Sequence, residues 1–196
     1  MSLSEGSLSE GSLSEGSLGE GSLGEGASGE ATGRTALVVM GVAGSGKTTV
    51  AELLAGSLGW TLAEADEFHS AANVARMAAG TPLTDADRAP WLASLRSWIN
   101  AVDGDVVLTC SALRRCYRDV LRRADARVRF VHLDGTPATL AGRMAVRSGH
   151  FMPTTLLSSQ LETLEPLEPD EDGVVVDIDG SPDQVAARAA AALGLP

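Results

Sequence analysis

Gly41-Val42-Ala43-Gly44-Ser45-Gly46-Lys47-Thr48 follows the spacing G-x-x-x-x-G-K-[ST], and the rest of the chain is read relative to it. Gly41, Gly44 and Gly46 let backbone N–H groups turn inward around phosphate oxygens. Lys47 brings a point charge to the β/γ-phosphates, and the Thr48 hydroxyl suits Mg²⁺. The run from Gly41 to Thr49, with Val42, Ala43 and Ser45 contributing backbone, is therefore a candidate nucleoside triphosphate site. Chance produces such a match in a chain of this length on the order of once in a few hundred cases. Context lowers the odds further: Ala36-Leu37-Val38-Val39-Met40 reads as a short buried strand and Thr49 to Ala55 as helix, the strand, loop, helix order that phosphate binding needs.

Composition supports the same site. Lys47 is the only lysine, and the other 14 of the 15 basic residues are arginine. A compact ammonium fits inside a backbone cradle where a planar guanidinium is too broad.

The 196 residues and 44% hydrophobic content are enough for one domain with a proper core. Six glutamates and no base in residues 1–33 leave only −5 of the net −11 to the remainder. Neither part has the net basic surface expected for nucleic acid or an anionic membrane, so neither partner is expected. Cys110 and Cys116 are too few for a disulfide framework and lack metal-ligand spacing. No stretch reaches membrane-span length and the N-terminus has no signal-peptide pattern, so a soluble cytoplasmic protein is expected.

Residues 1–33 repeat with period five as Ser-Leu-Ser-Glu-Gly and its variants. One leucine per repeat cannot offset chain entropy, and the segment is expected to be a disordered acidic tail preceding a domain over 34–196. Within that domain strands are expected near 36–40, 61–65, 106–110, 128–133 and 174–178. Helices are expected at about 71–79, 85–101, 112–123 and 136–149, and from Pro182 to Gly194. Thr84 with Asp87 has capping-box spacing. Strands separated by helices imply an α/β fold, a mostly parallel sheet covered on both faces, with its ligand outside the carboxyl ends of the strands. The stretch from Glu162 to Asp172, with six acids and two prolines, reads as a solvated connection.

Asp66, after the second strand, has two readings that stand equally: a carboxylate that orients an acceptor hydroxyl and takes its proton, or a helix N-cap. His69 suits a substrate hydroxyl or a capping role. Arg76 and Arg88 flank the turn Gly80-Thr81-Pro82-Leu83 and suit either a carboxylate substrate or a surface or helix-pair role, the commoner use of a lone arginine. Arg114, Arg115, Arg118 and Arg122 share a helical sector that reads as a solvated basic face, with Arg114 placed to reach an anion. Arg143 and Arg147, four apart, can close over a triphosphate.

Taken with the phosphate loop, Asp66-Glu67-Phe68-His69, Asn73 to Met77, Gly80 to Leu92, Cys110 to Arg115 and Arg147-Ser148-Gly149-His150-Phe151-Met152 closely resemble the gluconokinase family over residues 35–193. Gly80 to Leu92 is the most family-specific block. The resemblance implies a phosphate-loop (P-loop) kinase fold similar to adenylate and shikimate kinases, with a five-stranded parallel sheet and a mobile lid. It also implies transfer of the ATP γ-phosphoryl group to the 6-hydroxyl of D-gluconate, with Mg²⁺, usually in a homodimer. In that reading Lys47, Asp66, Arg143 and Arg147 are catalytic, while Asp66, His69, Arg76, Arg88, Arg114 and His150 bind substrate. Ala65 and Ser70 stand where the family often has Gly and Pro, and Arg76 where it often has lysine. A kinase for shikimate or a nucleoside monophosphate, and a non-catalytic ATP-binding module, remain open. A GTPase does not, since its Asn-Lys-x-Asp guanine reader needs a second lysine.

Overall fold

Five strands, β1 (Thr35–Met40), β2 (Thr61–Glu64), β3 (Val106–Thr109), β4 (Arg127–Asp134) and β5 (Gly173–Asp177), pair in the order β2-β3-β1-β4-β5, every pair parallel. The computed structural model describes residues 33–146 and 154–196. The expected acidic tail, Arg147 and His150 thus lie outside the described residues, apart from the tail's last glycine. β1 takes the middle because Ala36 to Met40 present only apolar side chains on both faces, and all five are fully buried. Its register sets Val38 opposite Leu108 on one side and Phe130 on the other.

The helices are α1 (Lys47–Leu58), α2 (Ala71–Ala78), α3 (Asp85–Ala101), α4 (Arg115–Leu121), α5 (Pro137–Val146), α6 (Thr154–Thr163) and α7 (Pro182–Leu193). Alternation along β1 builds two cores. Leu37 and Val39 pack with Val50 and Leu54 of α1, Leu140 of α5, Leu157 of α6 and Val185 and Ala189 of α7. Ala36, Val38 and Met40 pack with Trp91, Leu95 and Ile99 of α3 and Tyr117 and Leu121 of α4. Each large apolar side chain so buried contributes roughly 1.5–3 kcal/mol. The expected capping box of α3 is present: Thr84 Oγ1 accepts from Asp87 N–H, and the Asp87 carboxylate accepts from Thr84 N–H.

Four expectations change. The second strand stops at Glu64, and Ala65–Phe68 forms a 3-10 turn, whose Ala65 carbonyl accepts from Trp91 Nε1 at 2.7 Å. α4 begins at Arg115 rather than Ala112, because Ala112 takes φ +44°, a left-handed conformation that cannot continue into a helix. α6 was not anticipated at all.

The fourth change concerns charge. The basic run and the acidic connection are solvated only in part: Glu162, Glu168 and Asp170 are exposed, but Arg118 and Glu171 are drawn inside and the two segments pair with each other. Arg118 is fully buried and grips buried Glu171 bidentately, Nε to Oε1 at 2.6 Å and Nη2 to Oε2 at 2.8 Å. Its remaining N–H groups reach the carbonyls of Ala112, Leu113, Glu165 and Pro166. Arg115 pairs with Asp170 at 2.6 Å, and Arg122 donates to the Asp170 carbonyl. Burial pushes the Glu171 carboxyl up, but hydrogen bonds from Arg118 and Glu168 N–H and the charges of Arg118 and Arg115 outweigh it. The carboxyl is therefore held below its usual range.

Candidate active site

The carboxyl ends of β1, β2 and β3 open onto one cavity of about 790 Å³, walled by the loop from Ala43 to Thr49 together with Glu64, Asp66, Thr109, Cys110, Ser111, Arg143, Met144, Gln160, Pro182 and Val185. The loop's glycines are needed for approach as well as for turning. A Cβ on Gly41 would lie 2.7 Å from the Leu133 carbonyl oxygen, and one on Gly44 would lie 2.8 Å from both Leu140 O and Met144 Cγ. The loop is thus clamped between β4 and α5 before any ligand arrives. No side chain caps α1, whose N-cap is Gly46, so its first-turn amides and positive dipole end face the cavity as an anion site.

Lys47 Nζ donates to the Val42 carbonyl at 3.1 Å, which folds the ammonium back across the loop. Arg143 reaches over the same loop from α5. Its Nη1 lies 3.7 Å from where a Gly46 Cβ would be, and its Nη2 donates to Ile178 O at 2.6 Å, fixing the guanidinium at the end of β5.

Asp66 lines the cavity inside the 3-10 turn. Its carboxylate accepts no hydrogen bond among the described residues and caps no helix. The N-cap reading therefore fails, and a carboxylate with free acceptor capacity remains beside the phosphate cradle. Glu64, two residues earlier on the same edge, was missed. Its Oε2 accepts from the Thr109 hydroxyl, while Oε1 is buried without a partner. The available signal was the i, i+2 spacing of Glu64 and Asp66 at a strand end, which aims two acids at one rim.

This donor set fits a small hard cation. The Thr48 hydroxyl, the orphaned Glu64 oxygen and Asp66 are all oxygen donors around one space. Among the described residues no group of three or more His, Cys, Asp or Glu forms a protein-only metal cage.

His69, Arg76, Arg88 and Arg114 do not line the cavity; they gather beyond Asp66 against α3 and α4. The His69 ring stacks on Trp91 at 4.4 Å, with Nδ1 buried and unpartnered. Burial chiefly lowers its pKa, Asp66 opposes this and Arg88 adds to it, so the ring is held toward its neutral form. Arg88 donates to Leu83 O at 2.6 Å, while Arg114 pairs with Asp85 at 2.5 Å. Both guanidiniums lie over the Tyr117 ring, at 5.7 and 5.8 Å, and the Tyr117 hydroxyl donates to Asp85 at 2.6 Å. Hydrogen bonds from Tyr117 and Arg114 hold the Asp85 carboxyl low. Arg76 pairs with Asp87 at 3.1 Å on the surface. Cys110, at the cavity floor, is driven by burial up to about 12 and stays a thiol.

Comparison with known proteins agrees with this geometry. A family profile described as "AAA domain" matches residues 37–167. The gluconokinase of Gluconobacter oxydans (strain 621H) is 52% identical over 152 residues, 76% of this chain and 85% of that protein. A solved structure of a gluconokinase from Sinorhizobium meliloti 1021 superposes with a TM-score of 0.76 at 44% identity, covering 82% of this chain and 91% of that one. An unliganded sugar kinase from Janibacter sp. HTCC2649 superposes with a TM-score of 0.78 at 52% identity, covering 84% and 96%.

Proposed function

The chain belongs to the gluconokinase family of P-loop kinases, and from that premise we propose that it transfers the γ-phosphoryl group of ATP to the 6-hydroxyl of D-gluconate, giving 6-phospho-D-gluconate. The observation that carries the reading is the cavity that holds the phosphate loop and the unengaged Asp66 carboxylate together. A transferred phosphoryl group and an attacking hydroxyl need these two partners side by side.

In this mechanism the loop amides and the α1 N-terminus hold the β- and γ-phosphates. Lys47 supplies charge at their junction, and Arg143 neutralises charge that develops as the phosphoryl group moves. Asp66 orients the acceptor hydroxyl and receives its proton. Thr48, Glu64 and Asp66 would hold Mg²⁺, directly or through its water, and the ion would draw charge from the phosphate oxygens. Met144, Pro182 and Val185 give an apolar wall suited to the nucleobase. Beyond Asp66, His69 and Arg88 are the groups nearest to hand for the sugar acid. Arg88 suits the carboxylate better than Arg76 because its nearest carboxylate, on Asp85, is 3.9 Å away, whereas Arg76 is already paired. Arg114 would order Asp85 and Tyr117 at the edge of that pocket. Arg147 and His150 keep the lid and substrate roles that the resemblance implies. A homodimer in the cytoplasm belongs to the same reading.

The test is a coupled ADP-release assay with gluconate, shikimate and nucleoside monophosphates as acceptors, run on the full chain and on a chain beginning at residue 34. Turnover specific to gluconate, at similar rates for both lengths, is expected. Preference for another acceptor, or ADP release that ignores gluconate, defeats the acceptor assignment. A large loss of turnover in the shortened but folded chain defeats the assignment of the tail as an extension outside the catalytic domain.

A further inference from the structure

One contact at the cavity belongs to none of these roles. The Gln160 side chain, from α6, meets the phosphate loop itself: its Oε1 accepts from the Ala43 N–H at 2.6 Å. Three features make this more than a surface bond.

The first is its position. Ala43 follows Val42, whose carbonyl holds Lys47 Nζ. The Ala43 amide therefore lies at the lysine end of the cradle, where the β/γ-phosphates sit. The second is its orientation. A backbone N–H can be met only by an acceptor, so the carboxamide oxygen faces Ala43 and the NH₂ is turned away from it. That NH₂ has no hydrogen-bond partner among the described residues, and Gln160 lines the cavity. The third is its support. Leu157, one turn earlier, is buried in the core shared by α1, α5 and α7, so α6 is seated by packing and Gln160 is delivered to the rim from a fixed base.

We propose that Gln160 binds the phosphoryl group in transit, its oxygen anchored on Ala43 N–H and its NH₂ donating to a γ-phosphoryl oxygen opposite Arg143. The two residues then approach the same group from α5 and α6. Arg143 brings charge, and Gln160 brings a neutral donor whose direction is set by the loop it also braces. Such a donor counts most when charge spreads over the equatorial oxygens, so it acts on the transition state more than on bound nucleotide. This inference rests on the kinase reading but not on the identity of the acceptor.

The experiment compares wild type with Gln160→Ala and Gln160→Glu, measuring kcat, the KM for ATP, and the Kd for ADP by calorimetry, with thermal melts to verify folding. Alanine removes both ends of the carboxamide, while glutamate keeps an acceptor for Ala43 but loses the donor. For alanine a fall in kcat of roughly 10²-fold is expected, with ADP affinity within about threefold of wild type because ADP has no γ-phosphoryl group. For glutamate a loss at least as large is expected. Retained activity in the glutamate variant would reduce Gln160 to an acceptor that shapes the loop, and an equal weakening of ADP and ATP in alanine would say the same. Tighter nucleotide binding with unchanged kcat would make it only a plug in the empty cradle. Any of these overturns the proposal. If wild type itself does not phosphorylate gluconate, the acceptor assignment falls instead, and the same comparison is read from acceptor-independent ATP hydrolysis.

Discussion

The phosphate loop and the clamp that Arg118 makes with Glu171 each place a cation among backbone carbonyls, yet they do opposite things with it. Arg118 has every donor engaged inside the chain, by Glu171 and four carbonyls, and neither partner of the pair is exposed. Lys47 donates to the Val42 carbonyl and stands on an open cavity beside helix-terminal amides. A cation enclosed by the fold is part of the scaffold; one that faces open space for an incoming ligand is part of the site. The difference lies in enclosure: Arg118 is sealed in the interior, whereas Lys47 lines the cavity.

The sharpest way to break this contrast is to remove each cation. Lys47→Ala should lower kcat/KM by on the order of 10³-fold or more, with little change in the urea midpoint, since the charge it loses is one that phosphate was to meet. Near-normal turnover in a folded Lys47→Ala protein would remove Lys47 from the mechanism. Arg118→Ala should do the reverse. Stranding Glu171 in the interior is expected to cost about 3–5 kcal/mol of stability, read from urea unfolding, and Arg118→Lys should recover little because an ammonium cannot span five acceptors. A loss under about 1 kcal/mol would mean that Glu171 and the Glu165–Pro166 carbonyls find water easily, and that the clamp is looser than its geometry.

The smallest effect concerns pH. His132, on β4 facing the same core as Arg118, is buried with Nδ1 unpartnered, and burial is the chief cause of its lowered pKa, with Asp134 opposing. The unfolded chain takes up that proton first as pH falls below the ordinary histidine value of ~6.5, so stability should decline from there downward. Glu171, whose carboxyl is held low, opens a second window: its contribution is present above the ordinary glutamate range and is lost as pH falls through its own lower value. Urea midpoints between pH 8 and pH 5 should therefore fall gently in wild type and more gently in His132→Gln. A flat wild-type profile, or a slope unchanged by the substitution, would assign the effect elsewhere, His69 being the other lowered histidine.

How much of this was legible follows from the forces involved. The strands could be read because burial on both faces forces continuous apolar runs, as in Ala36 to Met40. The phosphate loop could be read because backbone approach demands glycine at fixed offsets. α6 could not: Thr154-Thr155-Leu156-Leu157-Ser158-Ser159-Gln160-Leu161-Glu162-Thr163 is half Ser and Thr, residues that favour caps and turns, and only its packing makes it a helix. Gln160 was hidden with it. Nor could the clamp be found, because Arg118 and Glu171 lie far apart in sequence and each resembles its exposed neighbours. A charge is identified as buried only by the tertiary contacts that bury it. Asp66 lies between these cases: position alone left it even between cap and base, and the absence of any hydrogen bond to its carboxylate removed the cap.

The strand order also sets a timetable for synthesis. β1 is made first among the strands but sits between β3 and β4, and its pairing with β4 runs through His132, β4 itself ending at Asp134. At roughly 5–20 residues per second, the wait from Met40 to Asp134 is on the order of 5 to 20 s. Until Thr109 is added the most apolar segment of the domain has no neighbouring strand to pair with, and from then until β4 is made it is paired along one edge only. The loop that follows it lacks the Leu133 and Leu140 backbone that gives it shape. A nascent chain of this protein therefore carries its nucleotide signature for many seconds before it can bind a nucleotide, and ATP cannot assist folding until synthesis has passed Leu140.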